Sequence, residues 1–142
     1  MRNSLQKRTW AEVSLDNISH NYRAIRAALP EGCRFLGVVK ADAYGHGAVA
    51  VARLLESEGA DYLAVSCLDE AMELRSAGIT MPLLILGHTP SEYTETLIDN
   101  DITQTVSCLA KAQEFSARAA ALGRLMTGTA MLGVMMKGEQ ES

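Results

Sequence analysis

From Arg34 onward, short runs that are apolar along their whole length alternate with amphipathic segments, and this alternation restricts the possible folds more than any other feature. The apolar runs predict strands at residues 34–39, 62–65, 82–86 and 102–106. The amphipathic segments predict helices at residues 47–59, 69–78, 91–100 and 109–122. Strands without a polar face that are separated by helices are typical of a parallel sheet covered by helices.

The distance along the chain between successive strands fits the βα units of a TIM-type (β/α)8 barrel. An open doubly wound sheet stays the alternative, although no GxGxxG turn follows the first strand to support a dinucleotide-binding fold. Four βα units follow Arg34, and a closed barrel of this type has eight. We therefore predict an α/β fold that is a partial (β/α)8 barrel, with parallel strands and with helices outside.

Upstream of these units, the sequence TWAEVSLD alternates apolar and polar residues from Trp10 to Asp16, as a half-buried strand does. Asp16 is placed to cap a following helix. The apolar face of that helix is expected to be Ile18, Tyr22, Ile25 and Leu29.

The predicted helices carry their own boundary signals. Asp69 and Ser91 are plausible N-caps, while Gly59 and Gly78 stand where a helix C-terminal cap belongs. The last helix is rich in alanine and is expected to end at Gly123.

The composition favours an ordinary globular domain: 48% of the 142 residues are hydrophobic and 21% are charged. The net charge of -4 comes from interspersed acids and bases without a basic cluster, so we expect no nucleic-acid partner. The start MRNSLQKRTW lacks the apolar core of a signal peptide, and the apolar stretches are too short to cross a bilayer. We therefore expect a cytoplasmic protein without a membrane partner.

Three cysteines, Cys33, Cys67 and Cys108, are widely spaced and form no CxxC or Cys/His ligand pattern. We expect them to be reduced, mostly buried thiols without a disulfide or metal role.

The segment VVKADAYGHG, residues 38–47, lies at the carboxyl end of the first predicted βα strand. In parallel α/β folds that end carries the active site. A lysine leaving a buried strand is partly desolvated, which favours its neutral, nucleophilic amine and makes Lys40 a candidate nucleophile. The alternative is a surface residue, since lysine is rarely buried without a partner.

Along its full length, VVKADAYGHG resembles the cofactor-attachment motif of the alanine racemase family. The resemblance continues in TWAEVSLDNISHNYRAI and AVSCLDEAMELRSAGI, and then in LLILGHTP and ITQTVSCLAKA. It covers residues from about 9 to 123 and implies a pyridoxal 5'-phosphate enzyme built on a barrel.

The resemblance implies that Lys40 binds pyridoxal 5'-phosphate as a Schiff-base lysine and acts as the base on one face of the substrate. It also implies that Tyr44 approaches the cofactor phosphate and that Leu86 packs near the cofactor ring. The alternatives are a rim position for Tyr44 and ordinary strand core for Leu86. Asp42 and His46 are expected to be turn or capping residues and are not named as catalytic.

The activity implied by the family is the interconversion of L-alanine and D-alanine, which supplies D-alanine for peptidoglycan. The family's second base is a tyrosine from the C-terminal domain of a partner subunit, so the intact protein is expected to be a homodimer. We expect residues 1–142 to be the N-terminal part of the cofactor barrel without the C-terminal β-domain.

After Gly123 the sequence RLMTGTAMLG departs from the family motif Lys-x-Asp-Thr-Gly-Met-x-Arg-Leu-Gly. Met131 stands where the family has an arginine that donates to the cofactor's phenolic oxygen, which a thioether cannot do. We therefore expect residues 124–142 to be an atypical tail and the 142-residue chain by itself to be impaired. Two alternatives stay open: a non-racemising pyridoxal phosphate carrier, and an inactive racemase fragment.

Overall fold

The computed structural model describes residues 10–124, and four parallel strands form its sheet. The strands pair in the order β1-β2-β3-β4, and all three pairings are parallel. Their bounds are β1 (Leu36–Val38), β2 (Tyr62–Val65), β3 (Leu83–Ile85) and β4 (Ile102–Gln104). Each strand falls inside a predicted apolar run, which confirms the α/β class.

Helices connect the strands, as predicted. The helices are α1 (Leu15–Ala28), α2 (Lys40–Gly45), α3 (Ala48–Ser57), α4 (Leu68–Ser76), α5 (Thr94–Asp99) and α6 (Leu109–Ala121). α2 is a single turn inside VVKADAYGHG that the periodicity does not predict. None of the helices in the described part of the chain is long and apolar enough to span a membrane.

The glycines expected at helix C-termini have that role. Gly59 and Gly78 follow the C-cap residues of α3 and α4 with φ of 79° and 85°. Their N–H groups donate to Glu56 O at 3.2 Å and to Arg75 O at 2.9 Å, which satisfies carbonyls that the helix ends leave free. Gly123 follows α6 in the same left-handed conformation, with φ of 65°.

The predicted N-caps are wrong by a few residues. Asp16 and Asp69 lie in the first turns of α1 and α4, where their charges face the positive end of the helix dipole. Ser14 caps α1, because its hydroxyl accepts from Asn17 N at 3.2 Å. Ser91 does not cap a helix, since it begins a 3-10 turn, Ser91–Tyr93, that leads into α5.

The expected N-terminal strand is also absent from this part of the structure. Residues 10–14 adopt no strand conformation and Trp10 is 72% exposed. A segment of alternating polarity forms a β-ladder only when a neighbouring strand pairs with it. None of the four strands pairs with residues 10–14. On α1, Tyr22 is buried as expected, but Ile25 is 51% exposed.

The two faces of the sheet differ. In parallel register, Leu63, Leu83 and Ile102 share one face, and this face belongs to the buried cluster that includes Leu55 of α3 and other helix residues. Ala64 and Leu84 occupy the opposite face and lie outside that cluster. The helices therefore form one layer against the sheet, as expected of half a barrel with outer helices.

The three cysteines are free, as expected, but they are exposed rather than buried. Cys67 and Cys108 are the N-cap residues of α4 and α6, and Cys33 lies in the loop before β1. Cap and loop positions lie at the protein surface, which is why the usual burial of cysteine does not apply here. The departure predicted after Gly123 falls on residues 124–133, of which all but Arg124 lie outside the described residues.

Candidate active site at the carboxyl edge of the sheet

Lys40 is the first residue of α2, which follows β1 and is a left-handed turn. Four consecutive residues, Ala41 to Tyr44, have φ between 51° and 56°. An L-amino acid in the left-handed helix costs roughly 1–2 kcal/mol, so a run of four persists only where neighbouring groups hold it. Strain of this kind is concentrated at functional sites.

Hydrogen bonds from within the segment hold part of this turn. Ala43 N donates to Val39 O at 2.9 Å, and Gly47 N donates to Asp42 O at 2.9 Å. The Asp42 carboxylate accepts from Ala48 N at 2.7 Å and so caps α3, whose own N-cap is a glycine. His46 Nδ1 lies 2.9 Å from Ala43 O. Asp42 and His46 thus have the turn and capping contacts expected of them.

The left-handed turn brings Lys40 and Tyr44 together. Lys40 Nζ lies 6.0 Å from the centroid of the Tyr44 ring, at the outer limit of a cation–π contact. Lys40 is half-buried, while Tyr44 is 62% exposed. The amine and the phenol are therefore both accessible at the same edge of the sheet.

Leu86 lies at this edge as well, directly after β3. Because the strands are parallel, residues that follow them share the carboxyl edge. Leu86 N donates to Val65 O at 2.9 Å, and its side chain is 42% exposed. Leu86 is therefore not part of the strand core and presents an apolar surface at the edge where Lys40 lies.

Glu70, in the first turn of α4, connects the ends of β1 and β2. One carboxylate oxygen accepts from Ala41 N at 2.7 Å. The other accepts from Ser66 N at 2.7 Å and from the Ser66 hydroxyl at 2.8 Å. Burial raises the pKa of the Glu70 carboxyl, but the hydrogen bonds from Ser66 and Ala41 outweigh burial, so the pKa is lowered overall.

Gly87 continues this connection to β3 and β4. Gly87 N donates to Ser66 O at 3.1 Å, and Gln104 Nε2 donates to Gly87 O at 2.7 Å. A Cβ atom at Gly87 would lie 2.4 Å from Ser66 O, so no larger residue fits without moving the backbone. The ends of all four strands are therefore linked by side-chain and backbone hydrogen bonds.

A small pocket of about 80 Å³ adjoins Leu86 and is bordered by Gln104, Lys111 and Phe115. Cofactor and ligand pockets usually measure about 300–1,000 Å³, so this pocket suits ordered water rather than a cofactor. Within residues 10–124, no group of three or more His, Cys, Asp or Glu side chains could hold a metal ion.

Glu70 and Gly87 were missed as site residues by sequence reasoning. A signal for Glu70 exists, since it is the third residue of α4, and a glutamate at that position commonly reaches back toward the helix start. The helix start lies at the carboxyl edge of a parallel sheet, so this rule places the carboxylate near Lys40. For Gly87 no local signal exists, because the requirement for glycine at this position comes from the carbonyl of Ser66, which follows a different strand.

Four parallel strands, an outer layer of helices and a lysine turn at the carboxyl edge define part of a βα-barrel enzyme fold. The family described as "Alanine racemase, N-terminal domain" matches residues 13–134. The chain belongs to this family.

Individual relatives agree with this assignment. The alanine racemase of Desulfosudis oleivorans is 43% identical over 132 residues, which are 88% of this chain and 34% of that protein. The solved alanine racemase of Clostridium difficile 630 is 51% identical with a TM-score of 0.78, covering 84% of this chain and 32% of that one. The chain thus spans about a third of the length of these relatives.

A histidine racemase from Leuconostoc mesenteroides is similar too, with 27% identity and a TM-score of 0.73, covering 85% of this chain and 32% of that one. A single half-barrel architecture therefore occurs in racemases whose names give different amino acids.

Proposed function

We propose that this chain is the lysine-bearing part of a pyridoxal 5'-phosphate-dependent amino acid racemase, with alanine as the substrate. The observation that carries the proposal is the left-handed turn, which brings the amine of Lys40 beside the ring of Tyr44 at the carboxyl edge of the sheet. We further propose that Leu86 completes the cofactor contacts of this part of the chain.

The groups at this edge fit the cofactor chemically. Pyridoxal phosphate needs an amine for its aldehyde, a hydrogen-bond donor for its phosphate and an apolar surface for its ring. Lys40, Tyr44 and Leu86 offer these three groups, and the last two are 62% and 42% exposed. When bound, the cofactor supplies an electron sink for the charge left by deprotonation at Cα.

In this proposal Lys40 has two tasks. Its amine would hold the cofactor, and the same amine would take or return the Cα proton on one face of the substrate. Tyr44 donates its phenolic O–H to the cofactor phosphate and thereby fixes the cofactor relative to Lys40. The hydrogen bonds of the strained turn hold the backbone from which both side chains project.

Alanine as the substrate is proposed from the names of most of the similar proteins. A racemase named for histidine shares the same half-barrel. Lys40, Tyr44 and Leu86 act on the cofactor rather than on the substrate side chain in this proposal. We therefore propose that the choice between amino acids is made by residues beyond these three.

For the whole protein, we propose that residues 1–142 correspond to the N-terminal part of the barrel of a cytoplasmic homodimeric racemase. In this view residues 124–142 form an atypical segment, and a C-terminal β-domain of the partner subunit provides the second base. The product would supply D-alanine for peptidoglycan.

Reductive trapping tests the cofactor assignment. The purified protein is mixed with pyridoxal phosphate, reduced with borohydride, digested and mapped by mass spectrometry. We expect the pyridoxyl group on the peptide containing Lys40, and we expect the label to disappear in Lys40→Ala. Lys111→Ala is the matched control, because Lys111 lies in an ion pair with Glu114 at 2.6 Å. Labelling of Lys111 in preference to Lys40 would contradict the assignment.

The substrate is tested on the same preparation by following the slow loss of optical activity of L-alanine and of L-histidine that the cofactor and one proposed base can support. Faster turnover of alanine, abolished in Lys40→Ala, supports the proposal. Faster turnover of histidine would retain the reaction class and replace the substrate.

A further inference from the structure

We propose that Glu70 is a positioning residue of the candidate active site: its carboxylate holds the Lys40 turn against the ends of β2 and β3. The inference rests on the proposed function, because what it positions is the cofactor lysine. Glu70 itself does not contact the reacting atoms in this proposal.

The first step of the argument is where Glu70 holds the turn. Its carboxylate accepts from Ala41 N, the first N–H of the left-handed run and the one adjoining Lys40. The other hydrogen bonds of residues 40–46 stay within residues 39–48, and Val39 N, just before Lys40, donates to Ala64 O of β2 at 2.8 Å. Glu70 is twenty-nine residues away along the chain and belongs to a different helix. Its carboxylate therefore adds a side-chain tie between the turn and the sheet beyond the backbone bond of Val39, whereas the local bonds fix the shape of the turn.

The second step is the connection to Leu86. The same carboxylate accepts from both the N–H and the hydroxyl of Ser66, at the end of β2. The carbonyl of Ser66 accepts from Gly87 N, and a Cβ at Gly87 would collide with that carbonyl. Because Ser66 and Gly87 are joined by this close backbone contact, a displacement of Ser66 is expected to shift Gly87 and with it Leu86. In this proposal Glu70 thus influences the distance between the two sides of the proposed cofactor site.

The third step is the chemistry of the carboxylate. Hydrogen bonds from Ser66 and Ala41 overcome the effect of burial and lower its pKa, so it is ionised at neutral pH and acts only as an acceptor. A glutamine has one acceptor oxygen and one NH2 donor. In Glu70→Gln, the NH2 group must therefore face either Ala41 N–H or the Ser66 N–H, and one of these contacts is lost.

The chain contains a matched control at the other edge of the sheet. Glu56 of α3 accepts from Thr80 N at 2.8 Å, from the Thr80 hydroxyl at 2.9 Å and from Met81 N at 2.9 Å, just before β3. It resembles Glu70 in chemistry and in the number of contacts, but it lies at the amino edge. Glu56→Gln removes the same charge without reaching Lys40, and because all three contacts use one oxygen, the glutamine can keep them as neutral hydrogen bonds.

The experiment compares wild type, Glu70→Gln and Glu56→Gln under conditions where far-UV circular dichroism shows each to be folded. Two properties are measured: the concentration of pyridoxal phosphate that half-saturates borohydride-trapped labelling of Lys40, and the hydrogen-exchange rate of the Ala41 amide. In Glu70→Gln we expect both to rise by about tenfold or more, the effect of losing one hydrogen bond to a charged group. In Glu56→Gln we expect both to stay within about twofold of wild type.

If Glu70→Gln does not fold, Glu70→Asp replaces it, since the shorter side chain keeps the charge and cannot span from Ser66 to Ala41. Normal labelling and normal Ala41 exchange in a folded Glu70 variant would overturn the positioning role while leaving the proposed function intact. Equal effects of the Glu70 and Glu56 variants would also overturn it, because they would indicate a general loss of stability. Failure of wild type to label at Lys40 would overturn the proposed function and the inference together.

Discussion

Replacing Arg75 of α4 with methionine should destabilise the fold. The Arg75 guanidinium donates to four backbone carbonyls: Asn100 O at 2.8 Å, Ile79 O at 2.8 Å, Met81 O at 3.0 Å and Asp101 O at 2.9 Å. These carbonyls belong to the loops that precede β3 and β4. One side chain therefore holds the loops that lead into two neighbouring strands.

The expected loss follows from which contacts are shielded from water. Three of the four hydrogen bonds are partly buried, and the bond to Asp101 is exposed. Leaving a buried acceptor unsatisfied costs about 1–3 kcal/mol, and partial access of water brings the three toward the lower end. We expect Arg75→Met to lower the free energy of unfolding by about 3 kcal/mol, a large part of the 5–15 kcal/mol that is roughly typical of a domain.

Urea unfolding followed by circular dichroism measures this change. With a dependence of about 1–3 kcal/mol per molar urea, the midpoint should fall by roughly 1–3 M. Arg53→Met is the matched control, since Arg53 on the adjacent helix α3 donates one exposed hydrogen bond, to Ala77 O at 3.0 Å. Its midpoint should change little, and equal midpoints for the two variants would refute the role of Arg75.

Two further predictions concern the edges of the sheet. Gly87→Ala should lower the free energy of unfolding by about 1–3 kcal/mol, because its Cβ would lie 2.4 Å from Ser66 O, and thermal unfolding that matches wild type would contradict this. The hydrogen bond from Thr80 N lowers the pKa of Glu56 most, burial opposes it, and Met81 N adds to the lowering, so the pKa lies below the ordinary 4.5. Its stabilisation is therefore complete above pH 4.5 and is lost as the pH falls through the lowered pKa. Urea midpoints of Glu56→Gln should accordingly depend less on pH below 4.5 than those of wild type, and parallel curves would exclude the effect.

The sheet was predictable because its signal is local. Uniformly apolar runs such as residues 62–65 that alternate with helices are typical of a parallel sheet, and the glycines after α3 and α4 end those helices through their own conformation. The predicted N-terminal strand was wrong because alternating apolar and polar residues only allow a segment to pair. They do not provide the neighbouring strand that pairing needs. The exposed cysteines were missed because their positions, two in helix caps and one in a loop, outweigh the preference of the side chain for burial.

The candidate site was predictable only in part. Lys40, Tyr44 and Leu86 came from a resemblance in sequence, and parallel pairing explains why residues so far apart in the chain share one edge. The groups that hold this edge together, Glu70 and Gly87, depend on contacts between strands. Spacing along the chain carries no record of a carbonyl from a neighbouring strand, so Gly87 emerges only from the folded structure, whereas the place of Glu70 in the first turn of α4 is a signal in the sequence.

The left-handed turn itself makes the sharpest test of the site's geometry, through one substitution at two positions. Ala41 has φ of 51° and is exposed, while Ala117 is exposed in the right-handed helix α6. Glycine at position 41 removes a left-handed penalty of about 1–2 kcal/mol from the folded state. It also increases the entropy of the unfolded chain, which opposes this gain by about 0.4–1 kcal/mol.

Ala41→Gly should therefore raise the free energy of unfolding by roughly 1 kcal/mol, whereas Ala117→Gly should lower it by about 1 kcal/mol, the helix propensity difference between the two residues. Urea unfolding of the two variants measures the sign directly. If Ala41→Gly destabilises the protein as much as Ala117→Gly does, residue 41 is not left-handed, and the geometry that brings Tyr44 beside Lys40 would have to be abandoned. If the signs are opposite, the strain lies where the Lys40 turn begins. Glu70 accepts a hydrogen bond from Ala41 N, so it is then a group from outside the turn that helps to keep this residue in the strained conformation.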